Sequence, residues 1–219
     1  ELAPPGSLAE QVCRFLREQG GSIWLVGGYV RDLLLGRRTN DLDFAVPAGA
    51  IPLARAVADR FGGAFFALDE RLDMGRAVLR EAGQSFIVDI CRLRGEDLAA
   101  DLALRDFTIN AMALDLNADP PIIIDRHGGR RDLAARLVRA VGERCFRDDP
   151  VRTLRAVRLA AELGFRLEEQ TAGWIQRDAP RLAWAPMERV RYEMVRIVAA
   201  RGAADHLRQL DSLGLLGIV

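Results

Sequence analysis

Apolar residues Leu8, Val12, Phe15 and Leu16 recur at the spacing of one helix face, which predicts a helix over residues 7–19, closed by Gly20-Gly21. The unbroken apolar run Ile23-Trp24-Leu25-Val26 predicts a short buried strand, interrupted by Gly27-Gly28. Residues 29–35 suit a helix that stops at Gly36, and residues 41–46 predict the next strand. Leu53, Ala54, Val57, Ala58 and Phe61 mark a further helix, ended by Gly62-Gly63. Three β-like runs follow near residues 64–68, 76–81 and 85–90. Residues 96–103 and 106–114 read as helices, and Ile122-Ile123-Ile124 as a last short strand. After about residue 140 the pattern turns helical: Val151, Leu154, Val157 and Ala161 repeat at helical spacing, as do Val190, Met194, Ile197 and Val198, with no convincing strand. The expected class is α+β, with a mixed-sheet domain over residues 1–140 followed by an all-helical domain over residues 141–219.

Composition narrows what these elements can do. Half of the 219 residues are apolar, enough for a sizeable core. All 31 cationic residues are arginine, so mechanisms that need a lysine are excluded: a P-loop, a protein-kinase site, a Schiff base. Net charge is zero, so contact with nucleic acid must be local rather than the work of a general basic field. Cys13, Cys91 and Cys145 are widely spaced, and His127 and His206 are the only histidines, which argues against a structural zinc site or a disulfide scaffold. No apolar run approaches the ~20 residues of a membrane span and no signal-peptide layout opens the chain, so a cytoplasmic protein with reduced thiols and no membrane partner is expected. The chain starts at Glu1 without Met and ends in the apolar run of residues 213–219, so a fragment of a longer protein is expected.

Two constellations carry candidate chemistry. In Asp41-Leu42-Asp43 the acids are two apart on a strand, so both carboxylates project to one face. Like charges held together favour a cation between them, and oxygen-only ligands suit Mg²⁺, which also accepts substrate phosphates. The bland alternative is a pair of solvated aspartates on an edge strand. Gly27-Gly28 lies between a strand and a helix carrying Arg31 and Asp32; glycines let a phosphate approach the backbone, although an ordinary tight turn reads the same way. Asp89 stands alone among the apolar residues of Phe86-Ile87-Val88-Asp89-Ile90, where an acid needs a partner or a metal.

Leu25-Val26-Gly27-Gly28-Tyr29-Val30-Arg31-Asp32-Leu33-Leu34-Leu35-Gly36, followed by Asp41-Leu42-Asp43, resembles the signature of the bacterial-type tRNA nucleotidyltransferase and poly(A) polymerase family, within the DNA polymerase β nucleotidyltransferase superfamily. The second motif resembles Arg105-Asp106-Phe107-Thr108-Ile109-Asn110, the third Asp125-Arg126-His127-Gly128-Gly129-Arg130-Arg131-Asp132, and the fourth Asp148-Asp149-Pro150-Val151-Arg152-Thr153-Leu154-Arg155-Ala156-Val157-Arg158. Glu188-Arg189 to Glu193 reads as a degenerate fifth. The resemblance implies a catalytic head and a nucleotide-selecting neck, with an RNA-gripping body beyond Val219. It implies two-metal catalysis with Mg²⁺ on Asp41, Asp43 and Asp89. Gly27, Gly28, Arg31, Arg105, Asp106 and Asn110 then hold the phosphates and ribose of ATP or CTP. Asp149 and Arg152 are three apart, next to a Pro150 suited to a first helical turn, with Asp149 near the N-cap. They set an acceptor beside a donor, which complements the pairing edges of cytosine and adenine and not those of uracil and guanine. The alternative is a helix cap with an ion pair. Arg155 and Arg158 are candidates for phosphate contact, for solvated surface or for a structural role. Asp125 and Asp132 are expected to hold a turn, and Arg189 with Glu193 to form an ion pair.

The implied substrate is the tRNA 3′ end, extended by CMP, AMP or both, with no obligate protein partner. Poly(A) addition to other RNA, a non-catalytic RNA-binding module that kept the fold, and a nucleotidyltransferase acting on small molecules or proteins are the alternatives. Three departures from the family pattern matter. Leu104-Arg105-Asp106 carries one arginine where many members have two, and Asp148-Asp149 replaces Glu-Asp. Only about a dozen residues separate Leu93 from Arg105, where longer members place the loop that helps switch from C to A, so partial synthesis of the CCA end is favoured.

Overall fold

Among the residues that the computed structural model describes, 6–81 and 83–219, the first compact unit comprises the chain up to Ala103 together with Asn110–Arg126. The first five residues of the expected head domain lie outside the described residues. The unit runs α1 (Leu8–Glu18), β1 (Trp24–Val26), α2 (Gly28–Leu34), β2 (Asp41–Val46), α3 (Ala50–Phe61), β3 (Ala64–Asp69), β4 (Met74–Glu81), β5 (Gln84–Arg92), α4 (Leu98–Ala103), β6 (Met112–Asp115) and β7 (Ile122–Asp125). Ser7 caps α1: its hydroxyl oxygen accepts from the Glu10 N–H at 3.3 Å.

The strands form one sheet in the order β3-β4-β5-β2-β1-β6-β7. β2 and β5 are parallel and the other neighbours antiparallel, so the sheet is mixed as expected. One face is apolar throughout: Leu42, Phe44 and Val46 of β2 alternate onto it with Ala77, Leu79, Val88 and Ile90, all buried. Helix α3 seats on this face only because residue 75 is glycine; a Cβ there would lie 2.7 Å from the Ala54 Cβ. The opposite face is divided. At one end Val26, Ala45, Leu93, Leu102 and Ala113 form a buried cluster, with Trp24, Leu98 and Ile124 packed against it. Asp41 and Asp43 occupy the same face of β2, toward its start.

The expected helix over residues 106–114 is instead a 3₁₀ turn, Thr108–Asn110, followed by β6. Every residue from Phe107 to Leu114 is buried, so the segment has no polar face to make an amphipathic helix. Its last part is a central strand, paired with β1 and β7.

The second compact unit comprises Leu104–Ile109 and His127–Val219. It contains α5 (Gly129–Ala134), β8 (Leu137–Val138), α6 (Cys145–Asp148), α7 (Arg152–Leu163), β9 (Arg166–Leu167), α8 (Glu169–Asp178), α9 (Met187–Ala199) and α10 (Ala203–Ser212). β8 and β9 form a two-residue parallel ladder that the helical pattern hid. Residues 127–140, placed by the pattern in the first domain, cluster by contact with this second unit, where β8 pairs with β9. The short segment Leu104–Ile109 is stitched in by backbone: the Thr108 N–H donates to the Arg139 carbonyl at 2.9 Å, and the Val141 N–H to the Asp106 carbonyl at 3.0 Å. Phe107 is fully buried with its ring centroid 6.5 Å from that of Phe146. Asp132, expected to hold a turn, is a buried hub: the Thr108 hydroxyl donates to it at 2.7 Å and the Arg139 Nε at 3.0 Å. Among the described residues no helix is long and apolar enough to cross a membrane.

Candidate active site

β2 is extended backbone between two strands, so its alternation fixes where its acids point. Leu42 is fully buried, whereas Asp41 is exposed and Asp43 half-buried. Both carboxylates therefore leave the sheet on the same open face, as the spacing predicts. Asp43 is paired in register with Asp89 of β5, and Asp89 in turn with Arg76 of β4. The Arg76 guanidinium grips Asp89 through both oxygens, Nε to Oδ1 at 2.7 Å and Nη2 to Oδ2 at 2.7 Å. This hydrogen bonding raises the basicity of Arg76; burial opposes the rise, and the charges of Asp89, Asp41 and Asp43 add to it. Among the described residues no group of three or more His, Cys, Asp or Glu is placed to hold a metal ion. Asp89, expected as a third carboxylate of the metal site, is gripped by Arg76. The Asp41/Asp43 pair fits a hard divalent cation: two carboxylates on one face of a strand, one exposed and one half-buried.

The glycine turn follows β1. Gly27 has φ 74° and ψ −140°, a conformation closed to side-chain-bearing residues, and it delivers Gly28 as the first residue of α2. Arg31 lies back over this turn, its Nη2 3.3 Å from where a Cβ on Gly28 would be. Its guanidinium donates to Asp32 at 3.0 and 2.8 Å and to the Asn110 Oδ1 at 2.8 Å. Asn110, expected one helical turn past Asp106, thus braces Arg31 from the end of the 3₁₀ turn. A cavity of about 690 Å³ in this unit is lined by Tyr29, Leu33, Arg37, Arg38, Asn40 and Phe86 among others, and the carboxylates do not line it.

In the second unit Asp149 is extended (φ −150°, ψ 99°) and precedes the helix, which begins at Arg152 with Val151 as its cap. Asp149 thus lies near the N-cap as expected, and its Oδ1 accepts from the Val151 N–H at 3.3 Å. The Arg152 Nε still reaches to 3.9 Å from the Asp149 Oδ2, which sets donor beside acceptor. Each partner is fixed from behind. Arg189 of α9 donates to both Asp149 oxygens, at 3.2 and 2.7 Å, and the Arg152 Nη2 donates to the Leu104 carbonyl at 3.1 Å. Asp106 is buried and paired with the Arg155 Nε at 2.7 Å, while Arg105 is half-buried. Arg158 is neither solvated nor open to a phosphate: it is buried, donating from Nε to Glu193 and from Nη1 to Glu162 at 2.7 Å. The expected Arg189–Glu193 pair does not form, since each residue has a partner on another element.

Arg76 was not singled out by the pattern analysis, and Arg189 was singled out only as a partner for Glu193, not for Asp149. Arg76 had a signal: once the β4–β5 hairpin closes between Glu81 and Gln84, counting back along both strands sets Arg76 opposite Asp89. The pairing of Arg189 with Asp149 had none, because it spans forty residues and several elements.

Residues 23–139 match a family model described as the poly A polymerase head domain, and residues 164–219 one described as a probable RNA and SrmB-binding site of polymerase A. A protein of Geobacter sulfurreducens named CC-adding tRNA nucleotidyltransferase is 42% identical over 97% of this chain and 48% of its own length. A Deinococcus radiodurans protein named A-adding tRNA nucleotidyltransferase is 39% identical over 89% of this chain and 44% of its own. The solved structure of the Thermotoga maritima CCA-adding enzyme complexed with tRNA superimposes with a TM-score of 0.85 at 30% identity, covering 98% of this chain and 52% of that one. The chain spans about half the length of the relatives it matches.

Proposed function

The chain belongs to the poly A polymerase head-domain family, and from that premise we propose that it is the catalytic and base-selecting part of an RNA nucleotidyltransferase that adds CMP, AMP or both to the 3′ end of tRNA. The observation that carries this reading is the Asp41/Asp43 pair, two carboxylates on one open face of β2 beside the glycine turn. In the reaction the RNA 3′-hydroxyl oxygen bonds to the α-phosphorus of the incoming nucleotide. The bond from that phosphorus to the bridging oxygen breaks, pyrophosphate leaves and the hydroxyl proton is released.

The family's chemistry implies a divalent metal; our reading is Mg²⁺, held by Asp41 and Asp43. When bound it neutralises triphosphate charge and lowers the pKa of the attacking hydroxyl. Gly27 and Gly28 let phosphate oxygens come close to backbone N–H groups, and Arg31, braced by Asp32 and Asn110, offers its remaining N–H groups at the same turn. Asp106, held by Arg155, and the neighbouring Arg105 are our candidates for ribose and phosphate contact.

Asp149 and Arg152 choose the base. The carboxylate accepts from the cytosine or adenine amino group while the guanidinium donates to the ring nitrogen. Uracil and guanine would oppose carbonyl to carboxylate and N–H to guanidinium, at about 1–3 kcal/mol for each group left unpaired. The stretch between Leu93 and Arg105 supports CMP addition over completion of CCA. It is taken up by α4, whose Leu98 and Leu102 join the core cluster and whose buried Asp101 accepts from the Arg94 N–H at 3.1 Å. That leaves little chain for a switching loop.

The test is to incubate the full-length protein with tRNA lacking its CCA end, Mg²⁺ and each nucleoside triphosphate in turn, and read product lengths. The expected result is incorporation of CMP with a defined stop, abolished by Asp41→Ala. Unlimited extension by ATP alone would replace the tRNA reading with a polyadenylating one, and no incorporation at all would leave an RNA-binding module.

A further inference from the structure

We propose that Arg76 is a positioning residue of the carboxylate site: clamped to Asp89, it cancels that residue's charge and leaves Asp41 and Asp43 as the pair that takes the divalent cation. The inference rests on the reading above and adds to it a residue and a role. Asp43, Asp89 and Arg76 stand in one row across β2, β5 and β4, each the register partner of the next. Neighbours in such a row are about 4.8 Å apart. Without Arg76, Asp89 would face Asp43 as a like charge across adjacent strands, which is unfavourable unless a cation joins them. With Arg76 in place, Asp89 has both oxygens occupied at 2.7 Å by a planar fork. The side chains are 36% and 18% exposed, so solvent and ions reach the pair and neither member is a core residue.

The charge balance gives opposite signs for the two single variants. Arg76→Gln frees Asp89, so a third carboxylate without its guanidinium faces the site and divalent affinity rises. Asp89→Asn releases the guanidinium, and its nearest remaining anions are Asp43 and Asp41, so it competes with the metal and affinity falls. The double variant removes one charge of each sign, restoring the wild-type balance on an unchanged Asp41/Asp43 pair. If Asp89 were itself a ligand, the double variant would have lost that ligand.

The experiment is Mn²⁺ titration of the full chain without nucleotide or RNA, free Mn²⁺ being read by electron paramagnetic resonance and folding checked by circular dichroism. A unit charge moved by one strand spacing near a protein surface changes divalent affinity by about tenfold or more. We expect Arg76→Gln to tighten binding about tenfold, Asp89→Asn to weaken it about tenfold, and the double variant to match wild type within about threefold. Arg76→Lys, which keeps the charge without the fork, is expected not to tighten binding. Loss of about tenfold in the double variant, or tightening in Arg76→Lys, overturns the proposal. Asp41→Asn separates the two levels: if it leaves Mn²⁺ affinity unchanged, the metal reading of the site fails, and Arg76 has nothing to position.

Discussion

Replacing Glu193 with alanine should destabilise the second unit far more than its single carboxylate suggests. Glu193 on α9 and Arg158 on α7 are only 5% and 6% exposed at their side chains and pair through Oε2 and Nε. Arg158 also donates to Glu162 at 2.7 Å, and Glu162 accepts from Arg196 at 2.8 Å. Removing Glu193 leaves a buried guanidinium with one carboxylate that it must share with Arg196. Breaking one side of such a pair costs about 3 kcal/mol, because the surviving charge cannot return to water. For a unit of this size each kcal/mol lowers the melting temperature by roughly 4–8 °C, so a fall of roughly 12–24 °C is expected. Removing both charges, as Arg158→Met with Glu193→Met, leaves Glu162 still paired to Arg196 and should cost about 1 kcal/mol or less. The implied coupling of about 2 kcal/mol or more is measurable from urea midpoints of the singles and the double at a common m-value. A double variant as unstable as the sum of its singles would refute the pairing argument. A functional readout accompanies it: Arg189, one turn before Glu193 on the same helix, holds Asp149, so Glu193→Ala should also blur the choice between CTP and UTP.

Two further outcomes follow from the titratable groups. Burial alone would raise the pKa of Asp73, but the N–H groups of Ile51, Ala50 and Gly49 at the start of α3, with the charge of Arg92, hold it below its ordinary 3.8. A carboxyl held low in the fold stabilises above its unfolded value and loses that contribution as pH falls through its folded value, so stability should drop on acidification below about pH 4. Asp73→Asn, which tolerates the left-handed backbone there (φ 50°), should flatten that acid limb in urea midpoints measured against pH. Burial pushes the thiols of Cys13 and Cys145 up to about 12, whereas Cys91 is half-buried near the end of β5. Iodoacetamide at about pH 8 should therefore modify Cys91 and spare the other two in the native protein, and a Cys13 adduct in the mass spectrum would contradict this.

The parts of the fold that local pattern could specify were legible. Strands β1, β2, β4 and β5 follow their apolar runs within a few residues, because each has one face or both against the core, and β3 follows its run although none of its residues is buried. α7 and α9 follow their apolar stripes for the same reason. β6 was not legible as a strand: with Phe107 through Leu114 all buried, periodicity offers nothing to separate a strand from a helix. At the site, the shared face of Asp41 and Asp43 follows from a period of two and needs no tertiary knowledge. Charge partnerships do not follow from spacing in this way. Arg189 and Glu193 are correctly spaced to pair on one helix, yet each meets a stronger partner across the unit, Asp149 and Arg158 respectively. Likewise Asp89 called for a partner from its apolar setting, but only the strand register identifies that partner as Arg76.

Because Leu104–Ile109 is borrowed from the middle of the first unit's sequence, the polypeptide passes from one unit to the other at three places, not one. No single scission of the gene yields both units intact. A C-terminal product beginning at His127 would lack Phe107, leaving a vacated pocket beside Phe146, and would leave the Asp132 oxygen that Thr108 serves with Arg139 alone. Isolating the second unit whole would require Leu104–Ile109 to be grafted ahead of His127.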